Sequence, residues 1–575
     1  MCSSDLAGRL LRRANELLVA AAGVRDVGNS LVSDILADVV VIGSGVAGAL
    51  AAAQLAAKGV RVAILEAGAK VDRQQGVERF WQAAIKVPEA PYPPVPQAMH
   101  PVTNDLGGWY RQAGPETFGS TYLKVVGGTT WHWLGTALRY LPSDFQLKTH
   151  YGRGVDWPIA YEELEPFYAQ AEAELGVAGD DSDDQGSPRS GGFPMPPVGQ
   201  TYLDRQLARA LEGSAFRLRS TPQARNVVER DGRPPCCGSA SCIPICPIQA
   251  KYDATVHVEK AVAAGAQLRD RTTATFLEAS ADGKITAVHF RRWDGSEGVA
   301  RGKLFVLAAN AIESPRLLLA SRSESRPRGI ANTSDQVGRH LMDHPAQLSW
   351  ALTKEPVWPY RGPISTSGIE NLRDGAFRSE RGAFRIEVGN DGWIWPTGGP
   401  VAESAAMVQQ GLRGKELDAA LAHQAARHIR LASLVEQLPD PENRLSLDPE
   451  AKDIYGVPLP RLHYDADAYT RSGLAAARQA HDEIFEKLGT THVQHAPNFF
   501  GAGHIIGTAR MGDDLKTSVV DRNLRAHDHP HLFVLGSSVF GDGQPDADHR
   551  RPQPSGRRTA ADKPPDLRKS GRGLR

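Results

Sequence analysis

An α/β fold in two or three domains is what this sequence predicts, and three observations carry that reading. The chain has 575 residues, too many for one hydrophobic core. Near its start a β-branched run is followed at once by a glycine-rich turn and an alanine-rich helix former. A second β-branched run then closes the unit on an acid, the order of a βαβ nucleotide-binding unit with a parallel sheet.

Residues 37–68, ADVVVIGSGVAGALAAAQLAAKGVRVAILEAG, hold that unit. Asp38–Ile42 reads as a buried parallel strand. In the turn, Gly43 permits the tight bend, Gly45 lets backbone approach a pyrophosphate, and Gly48 lets helix and strand pack closely. The helix N-terminus offers unpaired N–H groups and a positive dipole end to phosphates. Gly59 closes the helix, Val60–Leu65 is the second strand, and Glu66 is placed to accept hydrogen bonds from a ribose diol. The motif predicts a Rossmann-like dinucleotide site and does not separate FAD from NAD.

Bulk composition narrows the classes. Hydrophobic residues make up 41% and charged residues 23%, and Lys+Arg and Asp+Glu both total 66. That is an ordinary globular composition, with no global charge that calls for nucleic acid. No stretch approaches the roughly 18 apolar residues of a membrane span. LLVAAAGV at 17–24 reads as a short amphipathic helix rather than a signal peptide, and MCSSDL carries no usable pattern. With no evident signal, the expectation is a reducing compartment, where disulfides are disfavoured.

Four of the five cysteines lie within PPCCGSASCIPICPIQAKYD at 234–253: Cys236, Cys237, Cys242 and Cys246. A disulfide staple is awkward, since two are adjacent and the bridges would tie only local loops. Zinc favours paired spacings such as C-x₂₋₄-C; Cys237, Cys242 and Cys246 come close to that. Compact thiolates on a Gly/Ser/Pro loop also suit an iron–sulfur cluster, and Cys242-x₃-Cys246-Pro247 repeats a ferredoxin-type ending. Free thiols are the fourth alternative.

Four further stretches carry a resemblance. Residues 125–135, VVGGTTWHWLG, and 303–319, KLFVLAANAIESPRLLL, resemble the two signature regions of the glucose–methanol–choline (GMC) flavoprotein oxidoreductases. DQVGRHLMDHP at 336–346 and GHIIGTARMG at 503–512 resemble two more family blocks, and the similarity runs from about residue 36 to Phe540. Read by themselves, LFVLAA is a buried strand, with a helix expected to start near Ser314-Pro315, and VVGGTT is a strand running into glycine.

The resemblance implies a discontinuous Rossmann-like FAD-binding domain (36–150, 255–345 and 490–540) and a second, α+β substrate-binding domain (151–225 and 346–489). An iron–sulfur insertion loop is expected at 226–252. Gly127, Gly128 and Thr129 would border the flavin, and Gly536 and Ser537 its pyrophosphate and ribityl chain. His504 matches the family's active-site histidine. A neutral imidazole, with a pKa of about 6.5, can take the hydroxyl proton of an alcohol as its hydride leaves for flavin N5.

The cysteine loop resembles that of the FAD-dependent glucose, fructose, gluconate and sorbitol-type dehydrogenases. Their [3Fe–4S] cluster needs three thiolates, so one of the four cysteines would be spare. The implied activity is oxidation of a CH–OH group in a sugar, polyol or sugar acid, with electrons leaving through the cluster to a cytochrome. The implied partners are a multihaem cytochrome c subunit and a small export subunit. The implied location is the periplasmic side of the inner membrane, against a cytoplasmic alternative. Two other readings remain: a GMC alcohol oxidase or dehydrogenase without a cluster, and a catalytically dead FAD-binding subunit.

The end of the chain departs from the family. Where family members continue with a segment close to A-N-P-T-L-T-I and a closing helix, residues 541–575 read GDGQPDADHRRPQPSGRRTAADKPPDLRKSGRGLR. That composition alone predicts disorder. One choice of codons for GDGQPDADHR, read one base later, translates as A-T-A-N-P-T-L-T-I, so a frameshift just after Phe540 is expected. The second catalytic residue, Asn or His in the family, is then absent from the chain.

Overall fold

The computed structural model describes residues 34–83, 90–95, 110–392 and 399–543. The amphipathic segment expected at 17–24 and the tail from residue 544 onward lie outside them.

Five strands form one wholly parallel sheet, in the order Leu532–Val534, Leu304–Leu307, Val39–Ile42, Val62–Leu65 and Gln267–Arg269. The three central strands read VVVI, VAIL and LFVL with every residue buried. Burial on both faces is why they are continuous apolar runs rather than alternating ones. The helix Val46–Ala57 crosses between the first two, and its small side chains are almost all buried. Gly59, at φ +79°, ends it in the left-handed conformation typical of glycine there.

A second sheet of four strands, Ile35–Leu36, Glu297–Arg301, Ile285–Arg292 and Thr272–Ala279, is antiparallel except at its outermost pair. The third sheet is antiparallel and larger, running Thr491–His495, Pro345–Leu352, His428–Val435, Phe384–Gly389, Ser367–Ile369 and Leu218–Ser220. Its central strand His428–Val435 is buried throughout. The reason is the helix Ala468–Lys487, which buries Leu474, Ala477, Ile484 and Phe485 against the sheet in a helical three-four spacing. Asp467 caps that helix, accepting from Thr470 N–H at 2.7 Å, worth about 1 kcal/mol.

One helix starts earlier than the sequence suggests. It spans Asn310–Ala320, so Pro315 lies inside it rather than at its first position. Asn310 supplies the start signal, its Oδ1 accepting from the N–H groups of Ile312 and Glu313. Pro315 has no N–H to give the carbonyl four residues back. That carbonyl, of Ala311, instead accepts the Thr508 hydroxyl at 2.7 Å.

The described chain also continues three residues past Phe540. Gly543 exchanges both backbone hydrogen bonds with Gln437. Asp542 is buried, its Oδ1 accepting from Trp157 Nε1 at 3.0 Å and its Oδ2 meeting no partner among the described residues. Burial, with Glu436 and Asp144 adding to it, pushes the Asp542 carboxyl well above its ordinary range. Arg378 is already shared between Glu436 and Asp144, at 2.9 Å to each.

Candidate active site

The C-terminal ends of the parallel strands open onto a cavity with about 1500 Å³ of empty space, part of it continuous with solvent. Such crevices beyond the carboxyl ends are where open parallel sheets bind ligands. Gly43, Ser44, Gly45, Glu66, Gly128, Thr129, Gly536 and Ser537 line it, and so does His504. Gly127 does not line it. At φ +91° it forms the turn beneath, its N–H donating to Ser44 Oγ at 3.1 Å.

The glycines divide the work as their spacing suggests. A Cβ on Gly48 would fall 2.1 Å from the Gly43 carbonyl oxygen, so only glycine lets the helix sit this close to the strand. A Cβ on Gly45 would meet nothing within 4 Å, which leaves its backbone bare to the cavity. Glu66, 6% exposed, accepts from Ser44 N–H and Oγ at 3.0 and 2.6 Å and from Gly68 N–H at 2.8 Å. Burial nevertheless raises its carboxyl above the ordinary value. A fixed acid with lone pairs to spare beside a bare backbone suits the ribose and pyrophosphate of a dinucleotide.

His504, which also lines the cavity, has its Nδ1 2.6 Å from His344 Nδ1, with both rings buried. One nitrogen donates and the other accepts. For His504 to take a proton at Nε2, its Nδ1 must carry hydrogen and donate to His344 Nδ1, a role the 2.6 Å contact accommodates.

Asp343 holds this arrangement. Its Oδ1 accepts from the N–H groups of His344 and His504 at 2.7 and 2.8 Å, and its Oδ2 from Gly503 N–H at 3.2 Å and from Ser120 Oγ. Burial pushes the Asp343 carboxyl up to about 6, against the pull of those donors. A folded value above the unfolded one of about 3.9 contributes stability that is complete below pH 4. It is lost as pH rises through 6, by about 3 kcal/mol. Asp343→Asn is therefore expected to flatten the change in melting temperature between pH 4 and 7, measured beside the parent chain.

Charged groups also line the cavity wall. Glu313 bridges Lys124 at 3.0 Å and Arg316 at 3.2 Å, and accepts from the Tyr122 hydroxyl. The two cations hold the Glu313 carboxyl down at about 2 in spite of its burial. Sequence patterns gave no role to these residues.

The cysteines separate. Cys242 and Cys246 are buried, Cys236 is half-buried and Cys237 is exposed, all as free thiols with no disulfide. Arg225 Nη1 reaches toward Cys242 Sγ at 3.2 Å and Cys236 Sγ at 3.7 Å. Cys242 is pulled below its ordinary thiol value by Arg225, although burial opposes the shift. Among the described residues no three His, Cys, Asp or Glu side chains stand close enough to hold a metal ion, which bears on zinc and on an iron–sulfur centre alike. Asn390 is buried, accounting for none of the cavity, while Trp393 and Trp395 lie outside the described residues.

Models of the GMC oxidoreductase family match residues 204–346 and 439–545, and an FAD binding domain model matches residues 38–77. The fructose dehydrogenase large subunit of Gluconobacter japonicus is 39% identical over 518 residues, covering 88% of this chain and 94% of that protein. The gluconate 2-dehydrogenase flavoprotein of Pantoea cypripedii is 25% identical over 561 residues, covering 88% and 90%. Among solved structures, a formate oxidase aligns over 90% of this chain and 96% of its own, with a TM-score of 0.62 and 15% identity, a likeness of fold alone.

Proposed function

The chain belongs to the GMC oxidoreductase family and is an FAD-dependent oxidoreductase, and from that premise we propose that it is a dehydrogenase of sugars, polyols or sugar acids. The likeness to a fructose dehydrogenase subunit over most of both chains supports the substrate class. The bound flavin supplies the two-electron acceptor. His504 accepts the proton of the substrate hydroxyl at Nε2, His344 holds its tautomer, and Asp343 fixes the backbone that carries it. Gly43, Gly45, Gly48, Glu66, Gly128, Thr129, Gly536 and Ser537 serve the cofactor, with Gly127 shaping the turn below it.

Cys236, Cys242 and Cys246 would hold an iron–sulfur centre of the [3Fe–4S] type, which would supply single-electron transfer away from the flavin. The observation that carries this is chemical: a buried cation, Arg225, faces the sulfurs of Cys236 and Cys242, where its charge suits thiolate ligands, and Cys246 is buried on the same loop. Exposed Cys237 is the spare. The same reading assigns a cytochrome-type acceptor, a small companion subunit and the periplasmic face of the inner membrane. No helix among the described residues is long and apolar enough to cross a membrane.

The test is anaerobic purification followed by visible and EPR spectroscopy and iron and sulfide assay. A flavin spectrum with iron and sulfide is expected, and substrates such as fructose or gluconate should bleach the flavin. Flavin without iron would remove the cluster. Cys237→Ser is expected to keep the parental iron content, whereas Cys236→Ser, Cys242→Ser and Cys246→Ser each lose most of it.

A further inference from the structure

Arg225 stands where the cysteine loop meets the wall of the cofactor cavity. Its backbone bridges to Lys251. Lys251 Nζ donates to the carbonyls of Thr130 and Trp131 at 3.0 and 2.9 Å, and Thr130 lines the cavity. Two buried cations thus lie side by side between the cofactor's wall and the thiols.

Arg225 differs from the other deeply buried arginines. Arg378, Arg385 and Arg430 each meet a carboxylate, from Glu436, Glu370 and Glu387, at 2.9 to 3.0 Å. Arg225, 1% exposed, forms no ion pair among the described residues. Its Nε donates to Gln223 Oε1 at 2.8 Å and its Nη2 to the Leu134 carbonyl at 3.0 Å. Its remaining arm, Nη1, is turned to the sulfurs of Cys242 and Cys236. A buried guanidinium without an anion is strongly disfavoured, and thiolate sulfurs are the anions within reach. Gln223 and Leu134 anchor the other two arms, so the direction of Nη1 is fixed by the fold.

We propose that Arg225 is a positioning residue for the iron–sulfur centre, its Nη1–H groups donating to the ligand sulfurs of Cys236 and Cys242 and holding the centre's reduction potential up. The proposal rests on the cluster reading above. The physical reason is charge: each electron the centre accepts adds negative charge, and a fixed cation hydrogen-bonded to its sulfurs favours the reduced form.

The experiment compares the parental chain with Arg225→Gln and Arg225→Lys. Flavin absorbance reports folding, iron and sulfide assay reports occupancy, and an EPR-monitored potentiometric titration reports the midpoint. Arg225→Gln is expected to keep its flavin while losing iron or shifting the cluster midpoint negative, with the flavin spectrum unchanged. Arg225→Lys, which keeps the charge but not the three-armed fork, is expected to shift less. Should the glutamine variant lose its flavin, the lysine variant decides by the same readouts. Full iron content with an unmoved midpoint, in whichever of these variants retains flavin, overturns the proposal. A parental chain without iron or sulfide overturns the cluster reading itself, and is seen before any Arg225 variant is made.

Discussion

His504→Ala is expected to purify with its flavin and to lose substrate-driven flavin bleaching by about 10²–10⁴-fold, the usual span of general-base catalysis. The separation of the two readouts follows from where the side chain stands. Cofactor binding draws on the glycine turn, Glu66, Gly536 and Ser537, which line the cavity with groups other than the His504 ring. His504 is held by its backbone N–H on Asp343, which an alanine retains. What the alanine lacks is the ring nitrogen that takes the hydroxyl proton. Rapid-mixing absorbance with a sugar substrate measures the loss; bleaching at the parental rate would remove His504 from the mechanism. His344→Gln, which keeps a polar partner for the ring, is expected to fall between the two, with kcat lowered more than KM is raised.

Restoring the reading frame after Phe540, so that the chain continues Ala-Thr-Ala-Asn-Pro-Thr-Leu-Thr-Ile, is expected to raise both turnover and melting temperature. On the family resemblance that segment brings a second polar residue to the reacting hydroxyl. The stability gain has a local cause. Asp542 is a buried carboxyl with one oxygen unpartnered among the described residues, set beside Glu436 and Asp144. The restored frame puts threonine at that position. Relieving one buried unsatisfied group is worth about 1–3 kcal/mol, and Asp542→Thr alone should recover part of it. Thermal melting and turnover with an artificial electron acceptor measure the two effects. Sequencing the coding DNA checks the premise: a gene in which no frame reads Ala-Asn-Pro-Thr-Leu-Thr-Ile after Phe540 removes the frameshift.

What could be read from the sequence was what depends on neighbours in the chain. The strand, turn, helix and acid of residues 38–66 are local, and each glycine's task follows from its place in the turn. His504 and the cysteines stood out through compact motifs. The residues that escaped are partners brought together by distant segments. Asp343 and His344 belong to a block whose resemblance was noted, yet their hold on His504 crosses 160 residues. Arg225 lies eleven residues before Cys236, where an arginine carries no sign of burial or of facing sulfur. The helix starts at Asn310 rather than near Ser314-Pro315, because a proline tolerated inside a helix looks in the sequence like one at its first turn. Its missing hydrogen bond is made good by Thr508, nearly two hundred residues away.

The parallel sheet carries a consequence for how the protein is made. Its edge strand Leu532–Val534 pairs with Leu304–Leu307, and all but one strand of the larger antiparallel sheet lies in the chain between them. Until residue 534 has left the ribosome, Leu304–Leu307 presents an open, apolar edge of unpaired backbone groups, the kind of edge on which chains aggregate. Closing it is a contact of very high sequence separation, the slowest kind to form. The site that receives the cofactor is therefore encoded at the beginning of the chain and sealed at its end.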